Sequence, residues 1–135
     1  MINLLSIVEV GGYPDFSEVY RQNGCHVEQI KSLRKSISYI KSCYKKGQTI
    51  DVIVAEYNFQ TQFRDCTSSI ESLMAVIQPY PEIKVIAFLE DKHQENFKKV
   101  SSRFPIYKTL IFPIQESLLI ETINQINAEV IKEDT

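Results

Sequence analysis

Five times along this chain a short, nearly continuous apolar run is followed by a longer stretch in which apolar residues recur every three or four positions. No other feature constrains the fold as much. The clearest run, Ile50 to Glu56, reads Ile-Asp-Val-Ile-Val-Ala-Glu and is dominated by β-branched residues. A strand with one face in water alternates apolar and polar residues, whereas a run this continuous must be covered on both faces. The intervening helical stretches supply that cover. Strands joined through helices are parallel, and their crossovers are right-handed almost without exception. The pattern therefore predicts a (βα)5 unit: one parallel sheet with helices on both sides.

The elements can be placed from periodicity and from start and stop residues. Ile2 to Val10 reads as a buried strand, broken by Gly11-Gly12. Pro14 to Asn23 follows as a short helix with Phe16, Val19 and Tyr20 inward, and Pro14 and Asp15 suit its first turn. Cys25 to Ile30 is a second strand. Ser32 to Lys46 is a helix with a Leu33, Ile37, Ile40, Tyr44 stripe, and Lys45, Lys46 and Gly47 suit its end. After the strand ending at Glu56, Gln62 to Gln78 forms a helix with Phe63, Cys66, Ile70, Leu73, Met74 and Ile77 buried, stopped by Pro79-Tyr80-Pro81. Ile83 to Leu89 is the fourth strand. Gln94 to Ser102 is a weakly amphipathic helix with Phe97 and Val100 inward, and Tyr107 to Phe112 is the fifth strand. Gln115 to Ile131 closes the chain with Leu119, Ile123, Ile126 and Val130 at helical spacing.

Composition narrows the functional classes. The 135 residues, 44% hydrophobic and 24% charged, are expected to form a single domain over 1–135, with no output domain expected within them. A net charge of −2 and a pI near 5.7 give no bulk electrostatic footprint for nucleic acid. The N-terminus, Met1 to Leu5, has neither a basic segment nor a cleavage site, and no run is long enough to span a membrane, so a cytoplasmic protein is expected. Cys25, Cys43 and Cys66 are odd in number and contain no Cys-x-x-Cys pair, so they are expected as reduced thiols. With two histidines in the chain, no metal site is expected, and no nucleophile and base pair suggests an enzyme.

In an open parallel sheet, ligands and chemistry gather at the carboxyl ends of the strands. Here those ends read Glu9-Val10-Gly11-Gly12, Glu56-Tyr57-Asn58-Phe59, Leu89-Glu90-Asp91 and Phe112-Pro113. Two segments carry a family resemblance. Asp51-Val-Ile-Val-Ala-Glu-Tyr-Asn-Phe59 is similar to the strand written D-L-V-L-x-D-x-x-M-P in the CheY-like receiver domains of response regulators. Phe112-Pro-Ile-Gln-Glu-Ser-Leu118 resembles their K-P-F-x-x-x-x-L. The resemblance runs from Leu4 to about Ile131 and implies a flavodoxin-like, doubly wound sheet of strand order 2-1-3-4-5.

The residues that perform the chemistry of that family do not match. Receivers hold Mg²⁺ with an acidic pair after strand one; here the pair reads Glu9-Val10. The phosphoacceptor aspartate is replaced by Glu56, one methylene longer, and the Ser/Thr of strand four by Leu89. The lysine of strand five is replaced by Phe112, although the following Pro113 is kept, and the aromatic switch position reads Thr109. Lys108, four positions before Phe112, cannot stand in for that lysine. The resemblance thus implies a pseudo-receiver: the fold without phosphotransfer and without a cofactor, joining bacterial two-component signalling through a protein partner. The usual dimer or partner surface in receivers corresponds to Gln94–Val130 here, with no nucleic acid or membrane as partner.

Other residues admit two readings. Glu56 is either a fixed negative charge in place of a phosphoryl group or a polar strand end, and the missing switch residues favour the second. Glu90-Asp91 reads as a solvated loop and Gly11-Gly12 as a plain turn. Lys31, Arg34, Lys35, Lys41, Lys45 and Lys46 cluster on and around the second helix, either as a docking patch or, more commonly for such runs, as a solvated face. A rival function is a small-ligand or cofactor-binding module using the crevice at the strand ends, made apolar by Leu89 and Phe112.

Overall fold

The computed structural model describes residues 2–7, 15–57 and 69–133. Five strands form one sheet: β1 (Ile2–Ile7), β2 (Cys25–Ile30), β3 (Val52–Glu56), β4 (Lys84–Leu89) and β5 (Lys108–Ile111). All neighbours pair in parallel, in the order β2-β1-β3-β4-β5. The helices are α1 (Ser17–Gln22), α2 (Leu33–Lys45), α3 (Ser69–Ile77), α4 (Gln94–Ser101) and α5 (Glu116–Glu133). A turn of 3₁₀ helix at Asp91–His93 precedes α4. The doubly wound sheet expected from the alternating runs is the observed fold.

Strand alternation builds two separate cores. Leu5, Ile53, Ala55, Val85 and Leu89 face α2, α3 and α4, where they meet Ile40, Leu73, Phe97 and Val100. Leu4, Val52, Val54, Ile86 and Phe88 face α1 and α5, where they meet Tyr20, Leu119, Ile123 and Ile126. Every residue of β3 is buried. Each fully buried aliphatic side chain contributes about 1.5–3 kcal/mol, so the central strands anchor both layers. β2 lies at the edge, and only Cys25 within it is buried.

The helix ends show where local chemistry refined the expected boundaries. Helix α1 begins at Ser17, three residues after the expected start, because the Asp15 carboxylate accepts a hydrogen bond from the Ser17 amide at 2.9 Å. Asp15 therefore stands ahead of the helix, and hydrogen bonding to the Ser17 side chain first and to its amide second lowers its carboxyl pKa. Helix α2 is capped by Ser32, whose hydroxyl accepts from the Lys35 amide at 3.0 Å. It ends at Lys45 with Lys46 as its C-cap, and Gly47 follows in the position expected of it, with a φ of 79° that glycine adopts without a Cβ penalty. The expected Leu33, Ile37, Ile40, Tyr44 stripe is shifted: only Ile40 of the four is fully buried, together with Ser36 and Cys43. Helix α3 spans Ser69–Ile77, and the earlier part of the expected helix, with Phe63 and Cys66, lies outside the described residues. The end of the expected first strand, from residue 8 on, lies outside them as well. Cys25 and Cys43 are free, buried thiols, and burial pushes the Cys25 thiol up to about 11.

Candidate functional site at the carboxyl ends of the strands

The sheet register brings three of the singled-out positions to one end of the molecule. Glu56 closes β3 opposite Phe88 of β4, and Leu89 closes β4 opposite Ile111 of β5. Two backbone bonds continue the ladders past the strand ends: the Tyr57 amide donates to the Phe88 carbonyl at 2.7 Å, and the Phe112 amide to the Leu89 carbonyl at 2.8 Å. The strand termini that carry Glu56, Leu89 and Phe112 are therefore held rigidly side by side.

Their environments differ sharply. Glu56 is buried, with 6% of its surface exposed, and shares the strand parity of Val54. Leu89 is fully buried on the α2–α4 side, in the same core as Tyr57 and Phe97. The Tyr57 ring meets Phe97 edge-on, with centroids 5.1 Å apart, and burial raises the Tyr57 hydroxyl above its ordinary pKa. On the other side of β4, Phe88 meets Phe16 edge-on at 5.9 Å. Phe112, in contrast, is 43% exposed, and its peptide bond to the exposed Pro113 is cis. Thr109 sits within β5 opposite Ala87 and is half-buried. Glu9, Val10, Gly11 and Gly12 lie outside the described residues.

The chemistry this arrangement supports is limited by what replaces charge. Leu89 offers no hydroxyl to a bound anion, and Phe112 offers no cation. Lys108 is exposed at the opposite end of β5, about 13 Å of strand away at 3.3 Å per residue. Glu90 and Asp91 are exposed, and Glu90 pairs with Lys92 at 3.2 Å. Among the described residues no three His, Cys, Asp or Glu side chains converge as metal ligands.

A feature the linear reading missed lies at the other end of the sheet. A cavity of about 410 Å³ opens where Asn3, His26, Glu28, Tyr39, Cys43 and Thr49 meet. Asn3, Leu5, His26 and Glu28 share one face of the β1–β2 pair, as their register shows. The signal for it was present, because β2 places polar residues at alternate positions on a face that elsewhere in the sheet is apolar. Burial and the Cys43 thiol beside it push the Tyr39 hydroxyl up to about 12. This cavity is at the amino end of the strands, opposite the crevice expected for a ligand.

No protein-family model and no curated protein matches the sequence. Solved structures do match. A response regulator receiver domain protein from Clostridium thermocellum superposes with a TM-score of 0.72 at 16% identity, over 97% of this chain and 98% of that one. A CheY-like receiver domain protein from Methanospirillum hungatei JF-1 gives 0.70 at 16% identity, over 98% of each chain. The fold is the CheY-like receiver fold. The same architecture extends to a candidate pilus assembly protein (cpaE) from Burkholderia thailandensis E264, with a TM-score of 0.65 at 11% identity, over 95% of this chain and 99% of that one. At these identities the likeness speaks for the fold, and the side chains at the strand ends must speak for the function. Among the described residues no helix is long and apolar enough to cross a membrane.

Proposed function

We propose that this receiver-fold chain is a cytoplasmic signalling module, not an enzyme, that works by protein–protein contact and without accepting a phosphoryl group. The observation that carries this reading is the pair Leu89 and Phe112: an apolar side chain stands at each position where a receiver places a group that contacts the phosphoryl oxygens. A phosphoryl group adds nearly two negative charges and three strong acceptors. On Glu56, with no hydroxyl at position 89 and no cation at position 112, such a group would find neither a donor nor a counter-charge at those two positions. Glu56 is read as a strand-end carboxylate and not as a standing phosphate mimic, because Leu89 and Thr109 remove the hydroxyl and aromatic groups that would respond to it.

The contact surface follows from the same end of the molecule. Phe112 and Leu118, 43% and 40% exposed, are the large hydrophobic residues that stand out in water among the described residues. Phe112 stands in the connection after β5 and Leu118 in the first turn of α5, both within the Gln94–Val130 face expected to meet a partner or a second copy. Exposed aromatic and aliphatic side chains of this kind anchor interfaces.

Incubation with Mg²⁺ and acetyl phosphate, read by intact mass, tests the phosphotransfer side of this reading. The expected result is an unchanged mass, for the native chain and for the Glu56→Asp variant alike. A stable phosphoryl adduct on the native chain overturns the proposal.

A further inference from the structure

We propose that the outer face of α2 docks an acidic segment of a partner protein. Six basic residues, Lys31, Arg34, Lys35, Lys41, Lys45 and Lys46, fall in residues 31–46, which contain no Asp or Glu. All six are exposed. Arg34, Lys35, Lys41 and Lys45 lie on α2, where at 3.6 residues per turn they occupy an arc of about 120° along roughly 16 Å of helix, and Lys31 and Lys46 flank its two ends. The exposed Ser38 and Ser42 fill the centre of that arc. Among the described residues none of the six forms an ion pair; the pairs present use Arg21, Lys92, Lys98 and Arg103.

The placement costs α2 stability. Arg34 and Lys35 lie in its first turn, where the helix dipole disfavours cations, and no acidic residue offsets them there. Lys41 and Lys45 are a like-charge pair four residues apart, which destabilises a helix. Local rules broken without compensation inside the fold point to a role outside it.

The surroundings select the partner class. The rest of the chain, with nine basic and seventeen acidic residues, carries a charge of −8. A long polyanion laid across α2 meets that acidic remainder, whereas a short acidic protein segment can sit on the stripe alone. Stacking of bases has no platform here: Tyr44 is stacked on Tyr80 at 3.8 Å, and its hydroxyl donates to Glu82 at 3.1 Å. A bilayer finds no apolar face to bury, because Ile40 and Cys43 are already in the core.

The test is fluorescence anisotropy with a fluorescein-labelled, glutamate-rich peptide, a labelled DNA duplex and phosphatidylserine vesicles as probes, alongside thermal melting. The native chain should bind the peptide, more weakly as salt screens the charges. Arg34→Glu with Lys35→Glu should weaken that binding about tenfold or more while raising the melting temperature, because the first turn then complements the dipole. A merely structural role for these residues would move stability and leave binding alone. Lys41→Gln with Lys45→Gln checks the other end of the stripe and should weaken binding in the same direction. Absence of peptide binding by the native chain, unchanged affinity in both variants, or tighter capture of the duplex or the vesicles through the same residues overturns the proposal.

Discussion

The ends of β4 and β5 lie side by side, bonded through the Phe112 amide and the Leu89 carbonyl, yet they have opposite fates. Leu89 is entirely buried and Phe112 is 43% exposed. The difference comes from position in the sheet. β4 has a neighbour on each side and helices on both faces, so its last side chain packs against Tyr57 and Phe97. β5 is an edge strand, and the chain turns away from the sheet after it. Leu89 pairs with Ile111, and Phe112 is one residue further on, so two apolar residues at neighbouring strand ends have different physical meanings. One seals the interior of the crevice, and the other makes its rim adhesive.

The largest expected effect tests the sealing. Leu89→Ala should lower the free energy of unfolding by about 2–5 kcal/mol, from lost burial plus the cavity left behind, as measured by urea denaturation. A loss well under 1 kcal/mol would break the comparison, since Leu89 would then be no better packed than the rim.

A smaller effect concerns pH at the same buried end. The hydroxyl of Tyr57 has its folded-state pKa raised, by burial first and the Glu71 charge second. Below the unfolded tyrosine value of about 10 both states keep the proton, so the contribution is fully present. Above that value the unfolded chain loses its proton first, and stability falls as pH rises toward the folded pKa. Tyr44, pushed up to about 12 chiefly by burial, adds a loss of the same sign over that window. Denaturation midpoints on either side of pH 10 should show the decline, and Tyr57→Phe should reduce it. An alkaline profile unaltered by Tyr57→Phe would place that ring in a wetter site than its packing against Phe97 indicates.

The smallest stability change is expected at the rim. Phe112→Ala should shift stability by no more than about 0.5 kcal/mol, as for other exposed positions. Its effect should fall on association instead, measured as a lower tendency to self-associate or to hold a partner in sedimentation. A large stability loss here would mean that Phe112 belongs to the core after all.

Much of the fold was legible along the chain because its causes are local or periodic. Continuous runs such as Val52–Ala55 require two covered faces, and Gly47 marks the end of α2 through its own backbone freedom. The start of α1 was misplaced by three residues, because Asp15 uses its carboxylate to bond the Ser17 amide instead of entering the helix. The buried face of α2 was read a little off its true axis, because which of Ile37, Ile40, Cys43 and Tyr44 turns inward depends on how the helix lies across the sheet. At the candidate site, the replacement of polar residues by Leu89 and Phe112 was legible, since residue identity needs no coordinates.

By itself, then, the sequence determined the five-fold alternation, the parallel sheet it requires and the loss of polar groups at the strand ends. It also determined the run of six cations on and around α2. Only the tertiary structure decided that Leu89 is sealed while Phe112 is largely exposed, and that all six cations on and beside α2 are exposed together. The physical reason is that alternation and charge are properties of neighbours along the chain. Burial is set by which strands lie at the centre of the sheet and which at its edges, through contacts between residues far apart in sequence.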